Sequence, residues 1–261
     1  MFLVYFFGAL LGLCVGSFLN VVIYRLPNNM NLAFPASHCP NCGYQLKWYD
    51  NIPVVSYCIL GGKCRSCKEP ISFRYTAVEI ANTLLWVGCI ALFWTKSIPY
   101  ACIAALSCSV LMCMFFTDLE HRIVPDSLQI ALGILGIASI FFDTNIKWYS
   151  HLIGSAATGA VFLIVSITAE KILGKEALGG GDIKLAFAAG MLLGWEKMLA
   201  AMLVATVVGS IVLILLQKIK KKERGTEYPF VPFMVSGIVI MLFAGDFLID
   251  WYSRLLQSFI V

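Results

Sequence analysis

The sequence predicts an all-α polytopic membrane protein with about eight transmembrane helices and one sizeable hydrophilic loop. Three observations carry the prediction. First, 60% of the 261 residues are hydrophobic and only 13% charged, where a soluble domain carries roughly 25% charged residues. That excludes a disordered chain, a coiled coil and a water-soluble enzyme. Second, the apolar runs are continuous instead of alternating with polar residues, which argues against an outer-membrane barrel. Third, the net charge of +4 is distributed very unevenly between the loops.

A span needs about 20 apolar residues to cross a hydrocarbon core of about 30 Å. Eight runs qualify or nearly do: Phe2–Tyr24, Thr76–Trp94, Ile98–Thr117, Ser127–Phe142, Trp148–Ala169, Ile183–Gly194, Met198–Leu216 and Phe230–Ile249. The fourth and sixth are short. The first has no basic segment before its apolar core, and Arg25 follows it, so it reads as a span and not a signal peptide. Within it Gly8, Gly12 and Gly16 recur every four residues and suit a close helix crossing.

Orientation follows from the enrichment of lysine and arginine in cytoplasmic loops. With the N-terminus outside, the inner loops and their edges hold Arg25, Lys47, Lys63, Arg65, Lys68, Arg74, Arg122, Lys171, Lys175, Lys184, Lys218, Lys220, Lys221, Lys222 and Arg224. Only Lys96, Lys147, Lys197 and Arg254 remain outside. Deleting one short span would spoil that division. The chain therefore divides into a first transmembrane helix at 1–24, a cytoplasmic loop at 25–75 and a seven-helix remainder at 76–261. The basic run Lys218–Arg224 reads as a solvated loop touching anionic headgroups. Nothing in the sequence suggests nucleic acid as a partner.

The loop contains Cys39-Pro-Asn-Cys42, then 21 residues, then Cys64-Arg-Ser-Cys67. Two such pairs can close a tetrahedron of thiolates around zinc, and the metal would supply folding free energy to a loop too small for its own core. Disulfides are the alternative, but they are rare in the reducing cytosol. A thioredoxin-like site lacks its βαβ context. His38 reads as a bystander, and the other six cysteines as small apolar residues.

Two carboxylates stand where membrane proteins seldom keep them. Asp118 follows the apolar run ending at Thr117. Asp182 closes Gly179-Gly180-Gly181 and precedes the sixth span. Sixty-three residues separate them, yet the topology puts both at the cytoplasmic edge. The glycines permit unusual backbone shapes and leave room for an extended peptide alongside. Two adjacent carboxyls would share a proton, one acting as base on water and the other as acid toward a peptide carbonyl. Helix capping is open for both, and Asp118 could pair with Arg122 or Lys184. Asp126 reads as an N-cap. Glu79, Asp246 and Asp250 carry no clear signal, and His121 and His151 read as interfacial.

These motifs, in this order, resemble the bacterial type IV prepilin peptidases, membrane aspartic proteases of the Gly-x-Gly-Asp type. The likeness runs through Gly16-Ser17-Phe18-Leu19-Asn20, His38-Cys39-Pro40, Asn51-Ile52-Pro53, Cys64-Arg65-Ser66-Cys67 and Val78-Glu79. It continues through Asp118-Leu119-Glu120-His121, Pro125-Asp126, Gly179-Gly180-Gly181-Asp182 and Pro229-Phe230-Val231-Pro232-Phe233. Val231 stands where the family often has glycine.

The resemblance implies that Asp118 and Asp182 are catalytic and that Gly179, Gly180 and Gly181 line the substrate. It implies residues 76–261 as the peptidase domain, in a bacterial inner membrane. The substrates implied are prepilins and pseudopilins, cut on the cytoplasmic side, with pilus, type II secretion or competence machinery as partners beside the membrane lipids. It also implies N-methylation of the new N-terminus with S-adenosylmethionine, for which the sequence offers no residues. Two other readings use the same features: a proton-coupled transporter built on the two carboxylates, and a non-catalytic assembly factor docking through its cysteine loop.

Overall fold

A computed structural model describes residues 1–174, 179–220 and 229–260. Lys175 and the run Lys218–Arg224 lie outside the residues whose side chains are described. The chain forms two compact units, Met1–Thr95 and Lys96–Val261.

The first unit is an antiparallel pair of long helices with the cysteine loop between them. Helix α1 spans Phe2–Arg25 and α3 spans Phe73–Phe93. The glycine stripe of α1 sets their spacing. A methyl at Gly12 would lie 3.0 Å from the Thr83 Cα and one at Gly16 2.8 Å from the Glu79 Cα, so the backbones approach as closely as glycine allows. Amides seal the seam: Asn82 donates to the Gly12 carbonyl (2.8 Å) and Asn20 to the Tyr75 carbonyl (3.1 Å). In the loop lie a 3-10 turn at Trp48–Asn51 and a five-residue helix α2 at Val55–Ile59.

The second unit holds α4 (Ile98–His121), α5 (Asp126–Phe142), α6 (Trp148–Leu173), α7 (Gly180–Lys220) and α8 (Val231–Ile260). Helix α4 opens on a Ser97 cap that accepts the Tyr100 N–H (3.3 Å), and it is the most deeply buried of the spans. It packs on α5 and α8, while α7 packs on α5, α6 and α8.

At 41 residues α7 is about 62 Å of helix by rise, twice the hydrocarbon thickness. It breaks at Gly194, whose φ of 76° lies in the left-handed region. Contacts along α8 show what the break does. Asp118 meets Val231 at the start of α8, Lys197 pairs with Asp246 fifteen residues further on (2.7 Å), and Gly209 returns to Phe233. The first arm of α7 therefore runs away from Asp182 and the second runs back, with the reversal at Gly194.

The break is patched by α5 and α6. The Met191 carbonyl, which an unbroken helix would give to the Trp195 N–H, accepts instead from His151 Nδ1 (2.8 Å) and Ser139 Oγ (3.3 Å). The Trp195 N–H turns to Ser150 Oγ (3.4 Å). His151 is thus fully buried, contrary to the interfacial place expected for it.

Six described helices are long and apolar enough to cross a membrane, and α5, at 17 residues, is shorter. Counting the arms of α7 separately gives eight membrane-helix segments among the described residues, in agreement with the expected spans.

Candidate functional site

Asp118 sits in the last turn of α4, where the apolar run ends. The helix stops because Arg122 adopts a left-handed conformation (φ 56°) and returns its N–H to the Asp118 carbonyl (2.9 Å). The carboxyl is buried. It accepts the Val231 N–H from the first turn of α8, and its Oδ2 has no hydrogen-bond partner among the described residues. The free amides of a helix N-terminus favour a carboxylate there.

Asp182 lies in the first turn of α7, half-buried. Its N–H bonds the Gly179 carbonyl (3.0 Å), and its carboxyl accepts the Gly179 N–H in return, as the third helical residue does in a capping box. It caps from inside the helix, not from the N-cap position. The charge of Asp118 acts on it directly, so the two expected carboxyls are brought to the same end of the unit.

None of Gly179, Gly180 and Gly181 has a positive φ, so the unusual backbone shape expected of them is not adopted. Their value is space. A methyl on Gly180 would meet nothing within 4 Å, whereas one on Gly181 would press to 3.3 Å from Val124.

Lys184 pairs with Asp126 across exposed surface (2.6 Å), not with Asp118. Asp126 stands in the first turn of α5, and Pro125 occupies the cap position expected for it.

Two contacts at the site were not expected from the sequence, one from Val231, noted there only as a departure from glycine, and one from Gln129. Val231 contributes through its main chain, so its side chain carries no signal and its departure from glycine does not remove the contact. Gln129 of α5 is buried beside Gly181, with its Oε1 unpartnered among the described residues. A lone glutamine in an apolar helix offers no pattern to detect.

In the first unit the four cysteines converge. One thiol from each of Cys39, Cys42, Cys64 and Cys67 lies within 4.8 Å of the others, and Cys39 and Cys67 are 3.9 Å apart. A tetrahedron with Zn–S bonds of about 2.3 Å has edges of roughly 3.8 Å, so the donors fit a tetrahedral dication.

The two knuckles share one backbone design. Cys39 and Cys64 receive the N–H four residues on, from Gly43 (2.9 Å) and Lys68 (3.1 Å), and both those residues have positive φ (71° and 61°). Backbone N–H groups of Cys67 and Ser66 lower the Cys64 thiol to about 7. The Glu69 N–H favours the Cys67 thiolate, but burial and three neighbouring thiols push that group up to about 12. So crowded a set ionises together only around a cation. His38 lies outside the cluster, with Nδ1 3.2 Å from the Ala36 carbonyl.

Asp50 bolts the knuckles together. It takes Arg65 in an ion pair (2.8 Å), the Lys47 N–H (3.2 Å) and the Tyr44 hydroxyl (3.3 Å).

Fold and geometry together define a multi-pass helical membrane protein with a carboxyl pair at one end of its second unit and a four-thiol cluster in its first. Residues 10–93 match the bacterial peptidase A24 N-terminal domain, and residues 105–214 match the type IV leader peptidase family. The chain belongs to that family.

Relatives named prepilin leader peptidase/N-methyltransferase include one from Burkholderia pseudomallei, 35% identical over 92% of this chain and 85% of its own length. One from Pseudomonas aeruginosa is 35% identical over 91% and 89%, and one from Myxococcus xanthus is 39% identical over 79% of this chain and 61% of the relative. No solved structure matches.

Proposed function

We propose that this protein is a membrane aspartic endopeptidase that removes the leader peptide of prepilins and pseudopilins, with Asp118 and Asp182 as its catalytic pair. The observation that carries the reading is the convergence of two carboxyls, remote in sequence, at one end of the helices, with space beside Gly180.

One carboxyl, ionised, takes a proton from water as the oxygen attacks the scissile carbonyl. The other, protonated, gives its proton to the carbonyl oxygen. Collapse of the tetrahedral intermediate breaks the C–N bond, and the proton held by the base goes to the departing amine. The Val231 N–H holds Asp118 in place throughout. Gly179, Gly180 and Gly181 give an extended substrate room to lie against the start of α7.

The charge distribution supports an inner-membrane orientation with the N-terminus outside and both the acids and the cysteine loop in the cytoplasm. The transporter reading has little to support it, because both acids lie at helix ends and not at mid-membrane.

Zinc held by Cys39, Cys42, Cys64 and Cys67 is the metal that the thiol chemistry and the tetrahedral spacing favour. With four protein ligands the site is closed, so its role is to fold the loop. The names of the relatives support a second activity, methylation of the new N-terminal amine, for which bound S-adenosylmethionine would supply the methyl group. We assign no residue of this chain to it.

The test is purified protein with a prepilin peptide, read by mass spectrometry with and without S-adenosylmethionine. Asp118→Asn and Asp182→Asn are each expected to remain folded and to lose cleavage by at least about a thousandfold. Cleavage at the normal rate by either variant rules out the pair. A gain of one methyl on the cut product reports the transferase.

A further inference from the structure

The antiparallel pair α1 and α3 gives the first unit an internal depth scale. Gly12 lies against Thr83, Gly16 against Glu79, and Asn20 bonds Tyr75. Glu79 is therefore level with Gly16 and Ser17, and the Ser17 hydroxyl bonds it. Beyond Ser17, α1 continues through Phe18, Leu19, Val21, Val22, Ile23 and Tyr24 before its first charge at Arg25. From Ser17 to Arg25 the helix advances eight residues, Asn20 being the one polar side chain between them, a rise of about 12 Å.

Glu79 also accepts the N–H of Val54, the N-cap residue of α2, at 2.8 Å. The start of α2 is thus held well short of the charged end of α1, by a distance greater than one glutamate side chain can span. The Tyr57 ring meets the ring of Phe73, the first residue of α3, at 6.2 Å. The Glu79 tie holds the start of α2 alongside the apolar length of α1, while Phe73, two residues before Tyr75, holds Tyr57 nearer the Arg25 end.

The outward face of α2 suits that depth. Val55, Cys58 and Ile59, at i, i+3 and i+4, are exposed, and Ile52 continues the stripe one turn earlier. Ile59 is 75% exposed and Trp48 in the preceding turn 80%, while Ser56 and Tyr57 are half-buried. A loop helix meant for water would show its polar side. In sequence Lys47 and Lys63 bracket the segment Ile52–Ile59, as basic residues do at a headgroup layer.

We propose that α2 is a re-entrant interfacial helix. Its Ile52–Val55–Ile59 face is seated in the headgroup–acyl boundary of the bilayer that α1 and α3 span, so that the cysteine cluster is lashed to the membrane surface. Depth decides for lipid over a peptide as the occupant, because the tie at Glu79 places the face beside apolar α1 whether or not a substrate is present.

The test uses the full chain in phosphatidylglycerol-containing nanodiscs, with Ile59→Trp read as the difference from the unsubstituted protein. Lipids brominated high on the acyl chain are expected to quench the added fluorescence several-fold more than aqueous acrylamide does. Quenching by acrylamide alone overturns the proposal, as does shielding that arises only when a prepilin peptide is added. A second protein, Val55→Asp with Ile59→Trp, alters an exposed side chain without touching the metal ligands. It is expected to gain acrylamide quenching several-fold at unchanged metal content, and unchanged quenching there also overturns the proposal.

Discussion

Asp50 joins the two knuckles without touching a thiol, and its chemistry makes a prediction about pH. Burial alone would raise its carboxyl. The Arg65 guanidinium, the Lys47 N–H and the Tyr44 hydroxyl outweigh that and hold it below the usual carboxylate range. A carboxyl lowered on folding stabilises the fold fully above its unfolded value of about 3.9, and the contribution is lost as pH falls through the lower folded value. Asp50→Asn should therefore weaken the loop by about 1–3 kcal/mol, read as chelator competition for bound metal. The deficit should stay constant between about pH 6 and 8, where Asp50 is ionised folded or unfolded; a deficit that grows toward the alkaline end contradicts this.

At this scale the acids and the cysteines were legible, because an ionisable group at the end of an apolar run and a doubled Cys-x-x-Cys are chemically unusual. The roles of Asp50, Gln129 and the Val231 N–H were not. Their residue types are ordinary in loops and helices, and what matters about them is a partner brought from elsewhere in the chain. His151 was misread for a related reason: its place is dictated by a carbonyl that only the break in α7 leaves free.

Among the elements, the α6–α7 crossing is the tightest test of packing. A methyl on Gly154 would lie 2.6 Å from the Gly190 carbonyl oxygen, backbone against backbone, with no side chain able to yield. Gly154→Ala should destabilise the second unit by about 1–3 kcal/mol or more, measured by thermal unfolding in detergent. Gly133→Ala on α5, where a methyl meets nothing within 4 Å, should leave the midpoint nearly unchanged. Hydropathy located these helices well because lipid demands long apolar runs. It does not say which helix packs on which, since that depends on small residues at the crossings, so the pairing of α3 with α1 emerges only in the structure.

For the whole molecule, the division at Thr95 predicts that the units respond separately to loss of metal. Structural zinc in a small domain contributes on the order of 10–16 kcal/mol to folding, and none of the four thiols lies in the second unit. Chelation should make the segment around Cys39–Cys67 sensitive to protease while α4 through α8 keep their helicity and melting midpoint. A simultaneous collapse of both, seen by limited proteolysis and circular dichroism, would show that the second unit depends on the loop.

The turn-back at Gly194 has a consequence for sequence change in this chain. Because one residue, and not a loop, reverses α7, its two arms are geared together like teeth on facing wheels. Inserting a single amino acid just after Gly194 would rotate the second arm by about 100°. That would swing Ala201 and Gly209 off α8 and part Lys197 from Asp246. Between Gly190 and Lys197 the residue count itself should therefore be held constant across relatives.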